Sequence, residues 1–223
     1  MVLSLTVVLE DGHALNWDFD FSENGTLRLT NFLAIVRLPW VRLDFWKCPA
    51  CTLDRKNTPM CPVAMVLAQY ALDLADRKSI EQVKVYITES ADRKTTIESV
   101  PLQKVAGELV RLAVFQSQCP VGRKVKPAMA SLHTFPASQE ILRAFALFFA
   151  LRSTGRDVGE DPEQVQFMHS LHEVFGYLSK RLENAGKGDV YLNAVVILHS
   201  LSTLFSLSAP ELIQNAIAEC RSW

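Results

Sequence analysis

The chain has 223 residues, of which 49% are hydrophobic and 21% charged, a composition typical of a globular protein with a substantial core. Its formal net charge of −1 excludes a strong overall attraction to nucleic acid or to an anionic membrane. Five cysteines, an odd number, and an N-terminal segment unlike a secretory leader indicate a reducing compartment. We therefore expect a cytoplasmic protein without a disulfide framework.

The first hundred residues predict antiparallel strands, because hydrophobic and polar side chains alternate along short segments. Asp11-Gly12 marks a tight hairpin turn between the first two segments, and Ala91-Asp92-Arg93 marks the turn of a second hairpin. The predicted strands are residues 3–9, 14–21, 26–29, 82–88 and 95–100.

Most of the remaining chain predicts helices, because apolar residues recur there at helical spacing. Ser208-Ala-Pro-Glu211 has the pattern of a capping box and predicts the start of a separate last helix. The long apolar segment 192–207 contains Asn193 and His199, so we interpret it as a buried helix and not as a membrane span. The predicted helices are residues 62–76, 102–119, 139–152, 162–185, 190–207 and 208–217.

These elements together predict an α+β fold, with N-terminal antiparallel strands and hairpins and a largely α-helical C-terminal half. We expect residues 1–223 to form a single α+β domain. Within it, residues 1–101 would be rich in β-structure, with the cysteine-containing loop and one helix, and residues 102–223 would be helical.

A group of cysteines is the strongest chemical feature of the sequence. Cys48 and Cys51 form a C-x-x-C pair, and Cys61 follows just before a predicted helix, where the helix N-terminus stabilises a thiolate. Cys119 repeats the Cys-Pro-Val text of Cys61 and is the favoured fourth ligand, with His133 as the alternative. Four such ligands match a structural zinc site, and the same four cysteines are also compatible with an iron–sulfur cluster.

Two other interpretations of these residues remain open. The cysteines could act as a thiol redox pair, or Cys119 and His133 could be a nucleophile and its base in an enzyme. No hydrolase, kinase, dinucleotide or phosphate-loop signature is present, so we favour an interaction or regulatory module that binds a protein partner over an enzyme. We interpret Cys220, on the apolar stripe of the last helix, as a core residue.

Several charged or titratable residues have a simpler structural interpretation. Arg123, Lys124 and Lys126 form a small basic loop that could bind an anion, but such a loop is usually only solvated. Without aromatic residues between the charges, the loop does not predict a nucleic-acid site. His172 and His199 fall on apolar stripes and are predicted to be partly buried structural histidines.

The order of these features resembles a family of uncharacterised bacterial proteins, and the resemblance covers nearly the whole chain. It implies no activity, substrate or partner, because none is known for the family. The segments that carry it are Asp11-Gly12, Cys48-Pro-Ala-Cys51-Thr-Leu-Asp54, Cys61-Pro-Val-Ala64, Cys119-Pro120, Pro127, Met129, His133, Phe135, Pro136, Asp189 and Asn193-Ala194.

Overall fold

A four-stranded antiparallel sheet forms the N-terminal part of the computed structural model, which describes residues 2–29, 35–74, 76–152, 162–185 and 188–221. The strands lie in the order β2-β1-β3-β4. Alternating side chains of β1, β2 and β3 place one apolar face against the helices, as the pattern predicts, whereas β4 is mostly exposed. The strands are β1 Val2–Val8, β2 Ala14–Asp20, β3 Gln82–Thr88 and β4 Lys94–Pro101.

Both hairpins form where their turn residues predict them. In the first, the Leu9 N–H donates to the His13 carbonyl at 2.9 Å, and Gly12 has φ +80°, a conformation that favours glycine. The short strand predicted at residues 26–29 is wrong. Only an isolated bridge between Phe21 and Leu27 occurs there, and the Leu27 N–H, on the other side of the segment, donates to the Gln116 carbonyl at 2.8 Å.

Six α-helices follow or interrupt the strands in the described residues. The second helix is the central one, since nearly all of its side chains are buried. The last helix packs against the second, fourth and fifth. Two short 3-10 helices, Pro39–Val41 and Gly122–Val125, connect the larger elements. The α-helices are α1 Pro62–Leu74, α2 Leu102–Gln116, α3 Lys126–Ala130, α4 Ser138–Arg152, α5 Pro162–Leu182 and α6 Val190–Arg221.

The last helix, α6, differs from its prediction, because one continuous helix replaces the two separated at Ser208-Ala-Pro-Glu211. Pro210 lies inside it and is exposed. Ala209 and Ile213, on either side of the proline, are buried in the same core, so packing outweighs the backbone hydrogen bond that proline lacks. By length and composition α6 is also the one helix of the described chain able to cross a membrane, with mean hydropathy 1.6, and 44% of that window is buried.

The predicted fold class is confirmed: an N-terminal antiparallel sheet is followed by a mainly helical C-terminal half. The sheet packs directly on the helices, as shown by Phe19 of β2 and Tyr70 of α1, whose ring centroids lie 4.9 Å apart. A hydrogen bond of 2.8 Å from Trp17 Nε1 to Asp73 Oδ2 strengthens the same contact.

Candidate cysteine site

The four cysteines predicted as metal ligands line one small cavity of about 30 Å³, called the cysteine cavity below. Cys48 and Cys51 lie in the irregular segment 42–60, called the cysteine loop. Cys61 lies at the N-terminus of α1, and Cys119 follows α2. Three separate parts of the chain therefore bring their thiols to one place. The other lining residues are Leu53, Pro62, Val63, Pro120, Val174, Tyr177, Leu178 and Arg181.

Local backbone hydrogen bonds fix the position of each cysteine. The C-x-x-C segment turns back on itself, with the Cys51 N–H donating to the Cys48 carbonyl at 3.0 Å. Cys61 is held on both sides: its N–H donates to the Val41 carbonyl at 2.8 Å, and its own carbonyl accepts the Met65 N–H at 2.9 Å. This last bond is the first turn of α1, so Cys61 caps that helix.

Backbone N–H groups near two of the sulfur atoms favour their thiolate forms. The N–H of Leu53 acts to lower the pKa of Cys51, and the N–H groups of Gly122 and Val121 act to lower that of Cys119. Hydrogen bonds of this kind stabilise a thiolate, because they replace the hydration that a buried anion loses. The two turns therefore offset part of the cost of burying a thiolate at these positions.

The thiols differ in acidity. The hydrogen bond from the Cys48 thiol lowers the pKa of Cys51 to about 6, and it raises the pKa of Cys48 far above its usual range. Burial raises the pKa of Cys119 to about 11. Without a metal, Cys51 is the thiolate at neutral pH and Cys119 is a neutral thiol. A nucleophilic cysteine must be a thiolate, so this site makes Cys119 a poor one.

Helix α5 holds the cysteine loop in place. Glu173 Oε2 accepts the N–H of Ala50, inside the C-x-x-C turn, at 3.1 Å. The buried guanidinium of Arg181 donates to the carbonyl oxygens of Trp40, Arg42 and Leu43 at 2.8, 2.7 and 3.0 Å. The sequence analysis predicted neither the Glu173 contact nor the Arg181 contacts, called the two clamps below. The available signal for the second was an arginine on the apolar stripe of α5.

The sulfur atoms share a cavity but do not form a coordination polyhedron as they stand. In the part of the chain that the structure describes, no group of three or more His, Cys, Asp or Glu side chains is arranged to hold a metal ion. The thiols of Cys48 and Cys51 are hydrogen-bonded to each other instead. The convergence of the cysteines is therefore a property of the fold, while metal binding would require their side chains to turn toward a common point.

The structure places His133 at a different site. It lines a cavity with Glu89, Arg93 and Arg111, and its Nδ1 lies 3.6 Å from Glu140 Oε1. It is not among the residues that line the cysteine cavity. The fold thus brings Cys119 to the other cysteines and places His133 elsewhere.

Only part of the basic loop is exposed to solvent. Arg123 and Lys124 are exposed, whereas Lys126 is partly buried and its Nζ donates to Thr26 Oγ1 at 2.9 Å. Burial lowers the pKa of Lys126. The third predicted cation therefore has a structural partner. The side chain of Cys220 lies outside the described residues.

Comparison with known proteins gives a family and no activity. A family model described as "Domain of unknown function (DUF6901)" matches residues 4–222, and the chain belongs to this family. The expected similarity to an uncharacterised family is thereby confirmed. No curated protein and no solved structure matches the chain.

Proposed function

We propose that this member of a family without an assigned activity binds one structural zinc ion through Cys48, Cys51, Cys61 and Cys119, and that the ordered surface around it binds a protein partner. One observation carries the proposal: four cysteine side chains from three separate segments line one cavity. Zinc bound by four thiolates is a common structural site in proteins. With about 30 Å³, the cavity has room for one water-sized particle, which suits a single ion better than a multi-atom iron–sulfur cluster.

The charges around the cavity support this proposal. Four thiolates around Zn²⁺ carry a net charge of −2, which is costly to bury unless positive groups lie nearby. Arg181 is buried at the cavity wall, and in the described part of the chain it has no carboxylate within ion-pairing distance. Its charge and that of Lys47 both stabilise a thiolate at Cys51. The backbone donors to Cys51 and Cys119 add to this stabilisation.

The zinc ion would add a covalent link between elements that packing and hydrogen bonds already hold together. It would connect the cysteine loop, the start of α1 and the turn after α2. Binding of a structural zinc ion stabilises small folds by roughly 10 kcal/mol, which is enough to order an irregular loop. On this proposal the metal has a structural role and no catalytic one.

An exposed aromatic group on the cysteine loop supports a role in protein binding. Trp46 is 49% exposed and has φ 47°, a left-handed backbone conformation that is uncommon for a residue other than glycine. Lys180 Nζ lies 5.0 Å from the Trp46 ring centroid and 4.7 Å from that of Tyr177. Exposed tryptophan and tyrosine are enriched at protein–protein interfaces. A cytoplasmic location is part of the proposal, since the thiols must remain reduced.

Elemental analysis and a visible spectrum of anaerobically purified protein test the metal. We expect about one zinc per chain and no colour, with loss of zinc in Cys48→Ser and in Cys61→Ser. The matched control is Cys220→Ser, which should keep the zinc. Iron with broad absorbance near 400 nm would mean that the cysteines bind an iron–sulfur cluster and not zinc. Loss of zinc in Cys220→Ser would show that the ligand set is wrong.

A thiol redox pair is the second candidate, because the Cys48 and Cys51 thiols are already in hydrogen-bonding contact. Equilibration with glutathione buffers, followed by mass spectrometry, separates it from the zinc site. A redox pair should form a reversible Cys48–Cys51 disulfide in metal-free and freshly purified protein alike. A zinc site should protect both thiols until a chelator is added.

A further inference from the structure

Two histidines meet at the contact between α5 and α6, away from the residues that line the cysteine cavity. His172 Nε2 and His199 Nε2 lie 2.9 Å apart, and the ring centroids are separated by 3.9 Å. The prediction of partly buried structural histidines is wrong for His172, which is exposed, while His199 is partly buried. Solvent can therefore reach the pair.

A neighbouring hydroxyl group determines which nitrogen of His172 carries the proton. Thr203 Oγ1 donates its hydrogen to the His199 carbonyl at 3.0 Å. Toward His172 Nδ1, at 3.5 Å, the same oxygen can then only accept a hydrogen bond. This contact favours the tautomer of His172 that carries its proton on Nδ1 and leaves the lone pair on Nε2.

We propose that His172 and His199 form a second metal site, which binds a divalent transition-metal ion such as Zn²⁺ through both Nε2 atoms. Imidazole nitrogen suits Zn²⁺, Cu²⁺ and Ni²⁺, whereas Mg²⁺ and Ca²⁺ prefer oxygen. Histidine ligands usually donate their other ring N–H to a fixed acceptor, and Thr203 is that acceptor for His172. His172 thus already has the tautomer and support of a metal ligand.

Metal binding would require both rings to turn. Two nitrogens bound at about 2.0–2.1 Å to one tetrahedral zinc ion lie about 3.3 Å apart, so the 2.9 Å pair would open by roughly half an ångström. The ring centroids, now 3.9 Å apart, would also separate as both lone pairs turn to face the ion. His199 would move its ring proton from Nε2 to Nδ1. No third His, Cys, Asp or Glu of the described chain completes a metal-binding group with the pair. The ion would keep water at its other positions and would be bound only moderately tightly.

Titration of the full-length protein, as purified, with Zn²⁺ alone tests the site. In protein labelled with ¹⁵N-histidine, the Nε2 resonances of His172 and His199 should shift together and saturate near one added equivalent. Calorimetry should give an affinity that falls at least ten-fold in His172→Ala and in His199→Ala. His13→Ala, which changes an exposed histidine of the β1–β2 turn, should bind as the unaltered protein does.

Two variants of Thr203 test its role as the hydrogen-bond acceptor for His172 Nδ1. Thr203→Val removes the acceptor for His172 Nδ1 and should weaken binding by about ten-fold, as is usual for such outer partners, whereas Thr203→Ser should retain it. Unshifted Nε2 resonances at excess Zn²⁺ would overturn the proposal, and so would unchanged affinity in both histidine variants. The ¹⁵N resonances of the ring nitrogens detect binding at the histidine pair whether or not the cysteines bind zinc. Each of the two proposed metal sites can therefore fail without affecting the test of the other.

Discussion

Replacing Gly122 by alanine tests how tightly the Cys119 turn packs on α2. A Cβ atom at this position would lie 1.9 Å from the Val114 carbonyl oxygen and 2.7 Å from its carbonyl carbon. Both are backbone atoms of a buried helix and cannot rotate away. The turn or the helix must therefore move, and Gly122 would carry its N–H away from the sulfur of Cys119.

The expected cost follows from these two effects. Overpacking of a tight core costs about 1–3 kcal/mol, and loss of one hydrogen bond costs about 1 kcal/mol more. Gly122→Ala should therefore lower the free energy of unfolding by about 2–4 kcal/mol, a large share of the 5–15 kcal/mol typical of a whole domain.

Gly107→Ala is the matched control, because it makes the same change inside α2 at a position with nothing within 4 Å of the new Cβ atom. It should raise the free energy of unfolding by about 0.5–1 kcal/mol, since alanine restricts the unfolded chain more than glycine does. Urea unfolding of the metal-free proteins, followed by circular dichroism, measures both. Equal midpoints for Gly122→Ala and the unaltered protein would refute the close contact between the turn and Val114.

Three further predictions concern buried charges and one carboxylate. Arg181→Met leaves three carbonyl groups without their donor and should cost at least about 3 kcal/mol of unfolding free energy in urea titrations, whereas a small effect would mean that water replaces the guanidinium. Glu108→Gln leaves Arg111, whose Nε now lies 2.8 Å from Glu108 Oε2, buried without a counter-charge. It should cost about 3–5 kcal/mol, and the double variant with Arg111→Met should recover most of that loss if the pair is isolated. Hydrogen bonds from Ser79 lower the pKa of Asp189, so its carboxylate stabilises the fold above about pH 4, and this contribution disappears as the pH falls through the lowered pKa. Asp189→Asn should therefore lower the urea midpoint at pH 7, and its difference from the unaltered protein should shrink as the pH falls below about 4, whereas a difference that stays constant with pH would contradict this cause.

The local sequence pattern was sufficient to predict most of the strands and helices. Alternation in the first two strands and the Asp11-Gly12 turn depend on neighbours in sequence, so they could be predicted correctly. Continuity of α6 through Pro210 could not, because it depends on the burial of Ala209 and Ile213 by other helices. The contact between the Leu27 N–H and the distant Gln116 carbonyl could not be predicted either, since it too depends on the tertiary packing.

For the cysteine site, the spacing and repeated text of the sequence predicted which cysteines lie near one another, but not which contacts hold them in place. The shared Cys-Pro-Val text linked Cys61 to Cys119, and the fold places both at one cavity. Nothing in the sequence could separate Cys119 from His133 as the fourth member, because their distance depends on the packing of α2. The position of Arg181 on an apolar stripe indicated a buried role, but the partners of Glu173 and Arg181 could not be predicted, since each contact spans more than a hundred residues.

That long separation has a consequence for how the protein is made. The groups that hold the cysteine loop arrive with α5, 123 residues after Ala50 in one contact and 141 residues after Trp40 in another. Chains grow at about 5–20 residues per second. Cys48, Cys51 and Cys61 are therefore synthesised several seconds or more before α5, which supplies the groups that hold the loop. During that interval they are open to oxidation and to scavenging by the wrong metal. Correct assembly of the loop is therefore a late event, completed only when the C-terminal third of the chain has been synthesised.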